Sequence, residues 1–162
     1  MSEFEPKPKE ITIEITEELV EEYNKYYLTV LHPRAKKKPI ESPYMRTLNK
    51  MLCEPNRIQA NASKHKYMDF TSYIIEQEEL YGLRIAKCKL YMQFFYPTKL
   101  RRDLDGNIAM LKDFLDACVE NELLIDDSYH VVQEIHATGE YQKGVKKVIL
   151  TFKDIKYEEE EQ

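Results

Sequence analysis

Residues 83–97, LRIAKCKLYMQFFYP, constrain the fold of this chain more than any other segment. Apolar side chains occupy every second position from Ala86 to Tyr96, and Lys87 and Lys89 fall between them. Because successive side chains of a strand point to opposite faces of a sheet, this alternation predicts a strand with one buried face and one polar face. Pro97 has no backbone donor and ends the predicted strand.

Two helices are predicted before this strand and one after it. TEELVEEYNKYYLTV has acids in its first turn and apolar residues near helical spacing. A second helix is predicted over 64–81, with Ser63 as its N-cap and Gly82 where a C-cap belongs. A third is predicted over 107–121, where Leu111 and other apolar residues form one stripe.

Three further strands complete the prediction. ITIEIT, near the N terminus, alternates apolar and polar residues as a half-buried strand does. Residues 129–138 and 145–157 are predicted as strands joined across GEYQKG as a hairpin. The element order predicts a single α+β domain, a mixed β-sheet packed with helices. We expect residues 1–45 to be an extension with a basic loop, 46–157 to be the main domain, and 158–162 to be an acidic tail.

Composition limits the cellular setting. The chain of 162 residues contains no long apolar run and begins with the polar segment MSEFEPKPKE. We therefore expect no membrane association and a cytoplasmic location. The three cysteines form no C-x-x-C pair, so reduced and mostly buried thiols are expected rather than a disulfide framework or a zinc ribbon.

The net charge of −5 argues weakly against a nucleic-acid partner, but the charge is unevenly distributed. Residues 30–70 hold nine Lys or Arg against three acids, whereas residues 1–23 are strongly acidic. A polyanion meets the local patch rather than the total charge. The proline-rich loop HPRAKKKPIESP, which contains Lys37, is either a solvated loop or a flexible arm that holds phosphate.

Residues 99–127 carry the clearest chemical pattern. Asp103 and Asp105 follow Arg101 and Arg102 just past a predicted strand end. In an extended segment these two carboxylates would point to the same side and would repel each other unless a cation lay between them. Magnesium binds oxygen ligands of this kind, and guanidinium groups pair with phosphate, so a phosphodiesterase site is indicated. Alternatively, the D-x-D pattern is only a helix cap in a solvated turn.

The rest of the stretch has the same two interpretations. Lys112 and Asp116 are four residues apart, which is also the spacing of an ordinary helical ion pair. Asp126 and Asp127 form a pair that is also common in polar turns.

Together these residues resemble the RusA-type Holliday-junction resolvases of bacteria and their prophages. The family pattern of Arg-Asp-x-Asp-Asn, a Lys, Asp-Ala and Asp-Asp resembles RRDLDGN, Lys112, Asp116-Ala117 and IDDSYHVV here. A looser likeness links an earlier family feature to Leu48-Asn49, Arg57 and SKHKY. The resemblance covers roughly residues 46–152 and is strong only over 101–132.

The resemblance implies a homodimeric, magnesium-dependent endonuclease that cuts four-way DNA junctions and in which manganese is a possible substitute metal. Asp103, Asp105 and Asp127 match the metal-binding and catalytic aspartates, Lys112 matches the catalytic lysine, and Asp126 is adjacent to the site. The expected DNA-binding residues are all basic: Arg101, Arg102, Arg57, Lys64, Lys66 and Lys37.

Two features of the pattern leave alternatives open. Lys112 lies seven residues after Asp105, rather than the four of the family pattern, so either the helix carries it one turn farther or a bulge at Gly106 absorbs the difference. Asp127 follows the far end of the predicted helix and completes either its own site or that of a partner subunit.

Other classes of function compete with the nuclease. The runner-up is a non-catalytic protein that binds branched nucleic acid and has a degenerate acidic site. A metal-dependent phosphatase or nuclease for small substrates is weaker, because the basic arm would then have no purpose.

Overall fold

A computed structural model describes residues 6–158. In chain order its strands are β1 (Ile11–Thr16), β2 (Ile85–Tyr96), β3 (Val132–Tyr141) and β4 (Lys147–Tyr157). Its α-helices are α1 (Glu17–Tyr26), α2 (Leu48–Leu52), α3 (Arg57–Gln77), α4 (Leu104–Ile108) and α5 (Leu111–Glu120). The predicted α+β class, with one mixed sheet packed with helices, is confirmed. Of the predicted acidic tail, only residue 158 lies within the described residues.

The four strands form one sheet in the order β1-β4-β2-β3. β4 is antiparallel to both β1 and β2, whereas β3 is parallel to β2. The predicted hairpin between β3 and β4 is therefore wrong, because β2 lies between the two strands. β4 instead crosses to the far side of β2, and β3 forms an edge of the sheet.

The predicted alternation of β2 is confirmed. Leu90, Met92 and Phe94 are at most 1% exposed, and they lie in the core with Leu150 and Phe152 of β4. Burying an apolar side chain of this size contributes about 1.5–3 kcal/mol, so this face accounts for much of the stability of the sheet. The opposite face of β2 carries Lys and Tyr side chains that are partly exposed.

The first predicted helix is confirmed and continues further as a π-helical segment over Tyr27–Leu31. The second helix begins earlier than predicted. Asn56, not Ser63, caps α3 through its Oδ1, which accepts the backbone N–H of Gln59 at 2.9 Å. Because α3 begins at Arg57, Lys64 lies in the interior of the helix rather than in its first turn.

The single helix predicted over 107–121 is wrong, because the structure divides it into α4 and α5. α4 ends at Ile108 and α5 begins at Leu111. Asn107, near the end of α4, donates from its amide nitrogen to the hydroxyl of Tyr96 at 2.6 Å, which ties α4 to the end of β2. Lys112 therefore lies in the first turn of a helix separate from that of Asp105.

The loop over residues 32–43 is exposed at its basic part and anchored at its end. Lys37 is exposed, whereas Ile40 is only 1% exposed. The side chain of Asn24, on α1, donates to the Ile40 carbonyl at 2.8 Å and accepts the Ile40 N–H at 3.1 Å. One buried amide therefore satisfies both backbone groups of Ile40.

Replacing Asn24 with alanine is expected to lower the free energy of unfolding by about 1–3 kcal/mol, because it leaves two buried backbone groups without partners. Denaturant unfolding would measure the loss. Glu21→Ala, an exposed change on the same helix, is the control and should be nearly neutral. Equal stability of the two variants would show that Asn24 does not anchor the loop.

Cys88 and Cys118 are buried, as expected, whereas Cys53 is exposed. Burial raises the pKa of the Cys88 thiol to about 12, so this thiol stays protonated and unreactive near neutral pH. No helix within residues 6–158 is long and apolar enough to cross a bilayer.

Candidate active site

Asp103 and Asp105 lie where the backbone changes from extended to helical at the start of α4. Asp103 precedes the helix, with φ −96° and ψ 105°, and Asp105 is in its first turn. The expectation that both carboxylates point to one side assumed an extended backbone at both residues. Only Asp103 is extended, because Asp105 is already helical, so that assumption does not hold. Both side chains are exposed, and the Asp105 Oδ1 accepts the Gly106 N–H at 2.9 Å.

A second group of charged side chains meets beside α5. The Lys112 Nζ lies 3.5 Å from the Asp116 Oδ1, as the spacing of four residues predicts. Lys64 reaches the same carboxylate from α3, with its Nζ 2.5 Å from the Oδ2. Asp127 lies close enough to Asp116 to lower the pKa of that carboxyl, although no hydrogen bond joins the two side chains within residues 6–158. We call these four residues the Asp116 cluster.

The chain after α5 turns back along the start of β2 and so brings Asp127 to the Asp116 cluster. The Ile85 N–H donates to the Leu123 carbonyl at 2.8 Å, and the Ile125 N–H donates to the Ile85 carbonyl at 3.0 Å. α5 has ten residues, a length of about 15 Å. Because α5 is short, the chain that follows it brings Asp127 back beside Asp116 in the middle of this helix.

Burial and charge act in opposite directions on Asp116. Partial burial raises its pKa, but the contacts with Lys64 and Asp127 and the charge of Lys112 outweigh burial, so the pKa is lowered overall. The Asp116 carboxylate is therefore ionised at neutral pH. Two neighbouring carboxylates repel each other unless cations offset their charge, and Lys64 and Lys112 supply such cations here.

The carboxylates form a pair rather than a closed metal-binding group. Within residues 6–158, no three His, Cys, Asp or Glu side chains are grouped so that they could hold a metal ion. Magnesium commonly binds one or two protein carboxylates together with substrate phosphate and water, so Asp116 and Asp127 fit it in donor type and number. Asp126 is exposed beside them, and nearby donor groups of Ser128 and Asp127 lower its pKa.

The predicted DNA-binding cations differ in their surroundings. Lys64 is held by Asp116, as described above. The other five are exposed, and none of them forms an ion pair with another part of residues 6–158: Lys37, Arg57, Lys66, Arg101 and Arg102. Those five side chains remain available to phosphate groups.

A cavity of about 500 Å³ opens beside the Asp103 loop, between the ends of β2 and β3. Its lining combines the rings of Tyr96 and Tyr141 with the cations Lys99 and Arg102. The Lys99 Nζ lies 5.3 Å from the centroid of Tyr141, and the Arg102 guanidinium lies 6.0 Å from that of Tyr96. Rings for stacking beside cations for phosphate suit a single-stranded or unpaired nucleotide.

A buried ionic group supports α5, and no pattern in the sequence predicted it. Asp113 is 0% exposed, and both of its oxygens accept from the Arg46 Nη1, at 3.2 and 3.3 Å. Arg46 also binds Glu54 through two nitrogens. Burial raises the pKa of Asp113, and Arg46 opposes that rise. Nothing in the local sequence marks Arg46, because its partner Asp113 lies 67 residues away.

A comparison with protein-family models gives no match, and a search of curated protein sequences finds none that is significantly similar. The likeness to the RusA-type resolvases therefore rests on the motif residues themselves.

Proposed function

We propose that this protein is a magnesium-dependent endonuclease of the cytoplasm that resolves four-way DNA junctions as a homodimer. The observation that carries the proposal is the Asp116 cluster, in which three separate segments bring two carboxylates and two lysines to one place. Magnesium, when bound, would neutralise phosphate charge and lower the pKa of a water ligand. Asp127 and Asp116 would hold it. Asp103 and Asp105 form no three-ligand group with them within residues 6–158 of one chain, so they would contribute to the site across the homodimer.

The two lysines of the Asp116 cluster have different proposed roles. The Lys112 side chain is 67% exposed and only loosely paired, so its ammonium can move to the phosphate and stabilise negative charge that develops there. Lys64 is more buried and closer to Asp116, so it holds that carboxylate in position. Arg101 and Arg102 would bind the DNA backbone beside the cut strand.

Two features support a branched DNA substrate: the two-fold symmetry of the proposed dimer, and the cavity between the ends of β2 and β3 that Arg102 lines. A two-fold dimer presents two equivalent sites, which matches the two equivalent strands of a four-way junction. The cavity beside Arg102 would accept a nucleotide that has lost its pairing partner at the branch point. Lys37, Arg57 and Lys66 would contact the flanking duplex arms.

A non-catalytic branched-DNA-binding protein is the second candidate. It is favoured by the lack of a three-ligand group within residues 6–158 and by the close contact between Lys64 and Asp116. In this case the cluster would be structural, and the exposed cations would bind DNA without cutting it.

Incubation with synthetic DNA substrates separates the two candidates. The endonuclease is expected to cut a four-way junction with magnesium or manganese, to leave the matched linear duplex intact, and to bind without cutting in EDTA. Gel electrophoresis would measure cutting, and a mobility shift would measure binding. Junction binding without cutting in either metal would favour the second candidate, and a lack of junction binding would reject both.

A further inference from the structure

The C-terminal half of α3 borders a cavity that the proposed nuclease does not use. The cavity has a volume of about 500 Å³ and lies against α1, the π-helical segment and α3. Ligand-binding cavities in proteins commonly have volumes of about 300–1,000 Å³. Tyr73, in this wall, lies nine residues beyond Lys64 on α3, which is about 13 Å along the helix axis. The cavity is therefore separate from the Asp116 cluster.

Helical spacing brings four tyrosines to this cavity. Tyr23 and Tyr26 of α1 share one face with Tyr27, the first residue of the π-helical segment, and Tyr73 faces them from α3. The ring centroid of Tyr73 lies 5.1 Å from that of Tyr23 and 5.7 Å from that of Tyr26, with the rings tilted rather than parallel. The walls therefore combine ring faces with hydroxyl groups.

The charged groups of the cavity are mainly acidic. Asp69 and Glu76 line it, one turn before and about one turn after Tyr73 on α3. Both are exposed, and neither forms an ion pair within residues 6–158. Among residues 6–158 the lining includes no Lys or Arg, and His32 is the one lining side chain of that range that can become cationic. The site thus has negative charge without a cation to balance it.

Tyr23 contributes a hydroxyl to the cavity wall. The residue is 2% exposed overall, and its hydroxyl, which makes no hydrogen bond to another part of residues 6–158, keeps its contact with solvent. Burial raises the pKa of Tyr23, and the charge of Asp69 raises it further, so the hydroxyl stays neutral and can accept a hydrogen bond. A donor group in the cavity can therefore bind this oxygen.

The Asn121 side chain adds an acceptor at the cavity wall. Its amide nitrogen donates to Ser72 and to the Ala117 carbonyl, both at 2.8 Å. Its amide oxygen therefore remains available to a ligand donor. The cavity thus offers acceptors, ring faces and carboxylates to one occupant.

From this cavity we infer that the protein binds a guanidinium group there. A planar guanidinium stacks on aromatic rings, presents five donors and carries a positive charge, and it is more weakly hydrated than an ammonium group. A quaternary ammonium would leave the hydroxyl and amide acceptors without donors. The guanidinium belongs either to a small free molecule or to an arginine side chain of another protein.

Calorimetric titration of the full chain, without DNA or metal, tests this inference. The probes are agmatine and the blocked tripeptide acetyl-Gly-Arg-Gly-amide, with the citrulline tripeptide as a neutral control of the same shape. Saturable binding of at least one guanidinium probe is expected, with the citrulline peptide at least about tenfold weaker. Tighter binding of the tripeptide assigns the site to a partner's arginine, and tighter or equal binding of agmatine assigns it to a small molecule.

Matched variants locate the binding. Asp69→Asn should weaken binding of the better probe about tenfold, whereas Glu18→Gln, an exposed acid on α1 outside the cavity, should leave it unchanged. Tyr73→Leu should weaken binding in the same way, with circular dichroism as the check that it folds. The inference is overturned if neither probe binds at millimolar concentration, if citrulline binds equally well, or if Asp69→Asn binds like Glu18→Gln.

Discussion

Replacing Arg46 with alanine is expected to lower the free energy of unfolding by about 3–5 kcal/mol. The reason is that Asp113 is fully buried and loses the guanidinium that binds both of its oxygens, while Glu54 loses its bond to the same guanidinium. A buried charge without a partner costs far more than an exposed one, because the protein interior does not replace its hydration. Denaturant unfolding at pH 7 would measure the loss.

The control for this experiment is Lys25→Ala. Lys25 lies on α1, is exposed and forms no ion pair with another part of residues 6–158. An exposed change of this kind alters stability by less than about 0.5 kcal/mol, so this variant should resemble the wild type. If Arg46→Ala were no less stable than Lys25→Ala, the assignment of Arg46 as the support of α5 would be wrong.

The loss in free energy of unfolding of the Arg46→Ala variant should also depend on pH. Burial raises the pKa of Asp113, and loss of Arg46 removes the charge that opposes this rise. Above the raised pKa the variant therefore holds an unpaired anion, and below it the carboxyl is neutral. The difference in stability from the wild type should shrink as pH falls through that range.

The second large effect is expected in catalysis. Asp127→Asn and Asp103→Asn should each slow junction cutting about 10³-fold, since loss of about 4 kcal/mol of charge stabilisation at the phosphate corresponds to that factor. Both residues are exposed, so neither variant is expected to unfold. Junction binding should be retained, because the DNA-binding cations remain.

The structure and the family motif assign different roles to Asp116. The motif comparison gives Asp116 no metal-binding role, whereas the structure places it between Lys64 and Asp127. Asp116→Asn should therefore reduce cutting by a factor comparable with that of Asp127→Asn. A variant that cuts like the wild type would restrict Asp116 to an ordinary helical ion pair.

Patterns carried by neighbouring residues predict the fold well. The alternation of β2 and the spacing of α1 depend on side chains only a few residues apart, and both elements occur as predicted. The start of α3 carried a usable signal, because Asn56 is followed three residues later by Gln59, as in a capping box. Ser63 has no Glu or Gln three residues later, so the capping-box spacing favours Asn56 over Ser63 as the N-cap of α3.

Pairings between distant segments were not predictable. The GEYQKG segment resembles a hairpin turn, but the chain places β2 between β3 and β4. β3 has one buried residue, Val132, which is typical of an edge strand, whereas the first half of β4 alternates buried and partly buried positions. The Arg46–Asp113 and Lys64–Asp116 pairs likewise join residues more than 50 positions apart.

Single-turnover cutting of a synthetic four-way junction with magnesium tests the central claim most directly. The wild type should be compared with Asp103→Asn, Asp127→Asn and the control Asp154→Asn, an exposed position whose φ of 52° asparagine tolerates. The proposed site predicts rapid cutting by the wild type and the control, and cutting about 10³-fold slower by the other two variants. Equal cutting by all four proteins would contradict it.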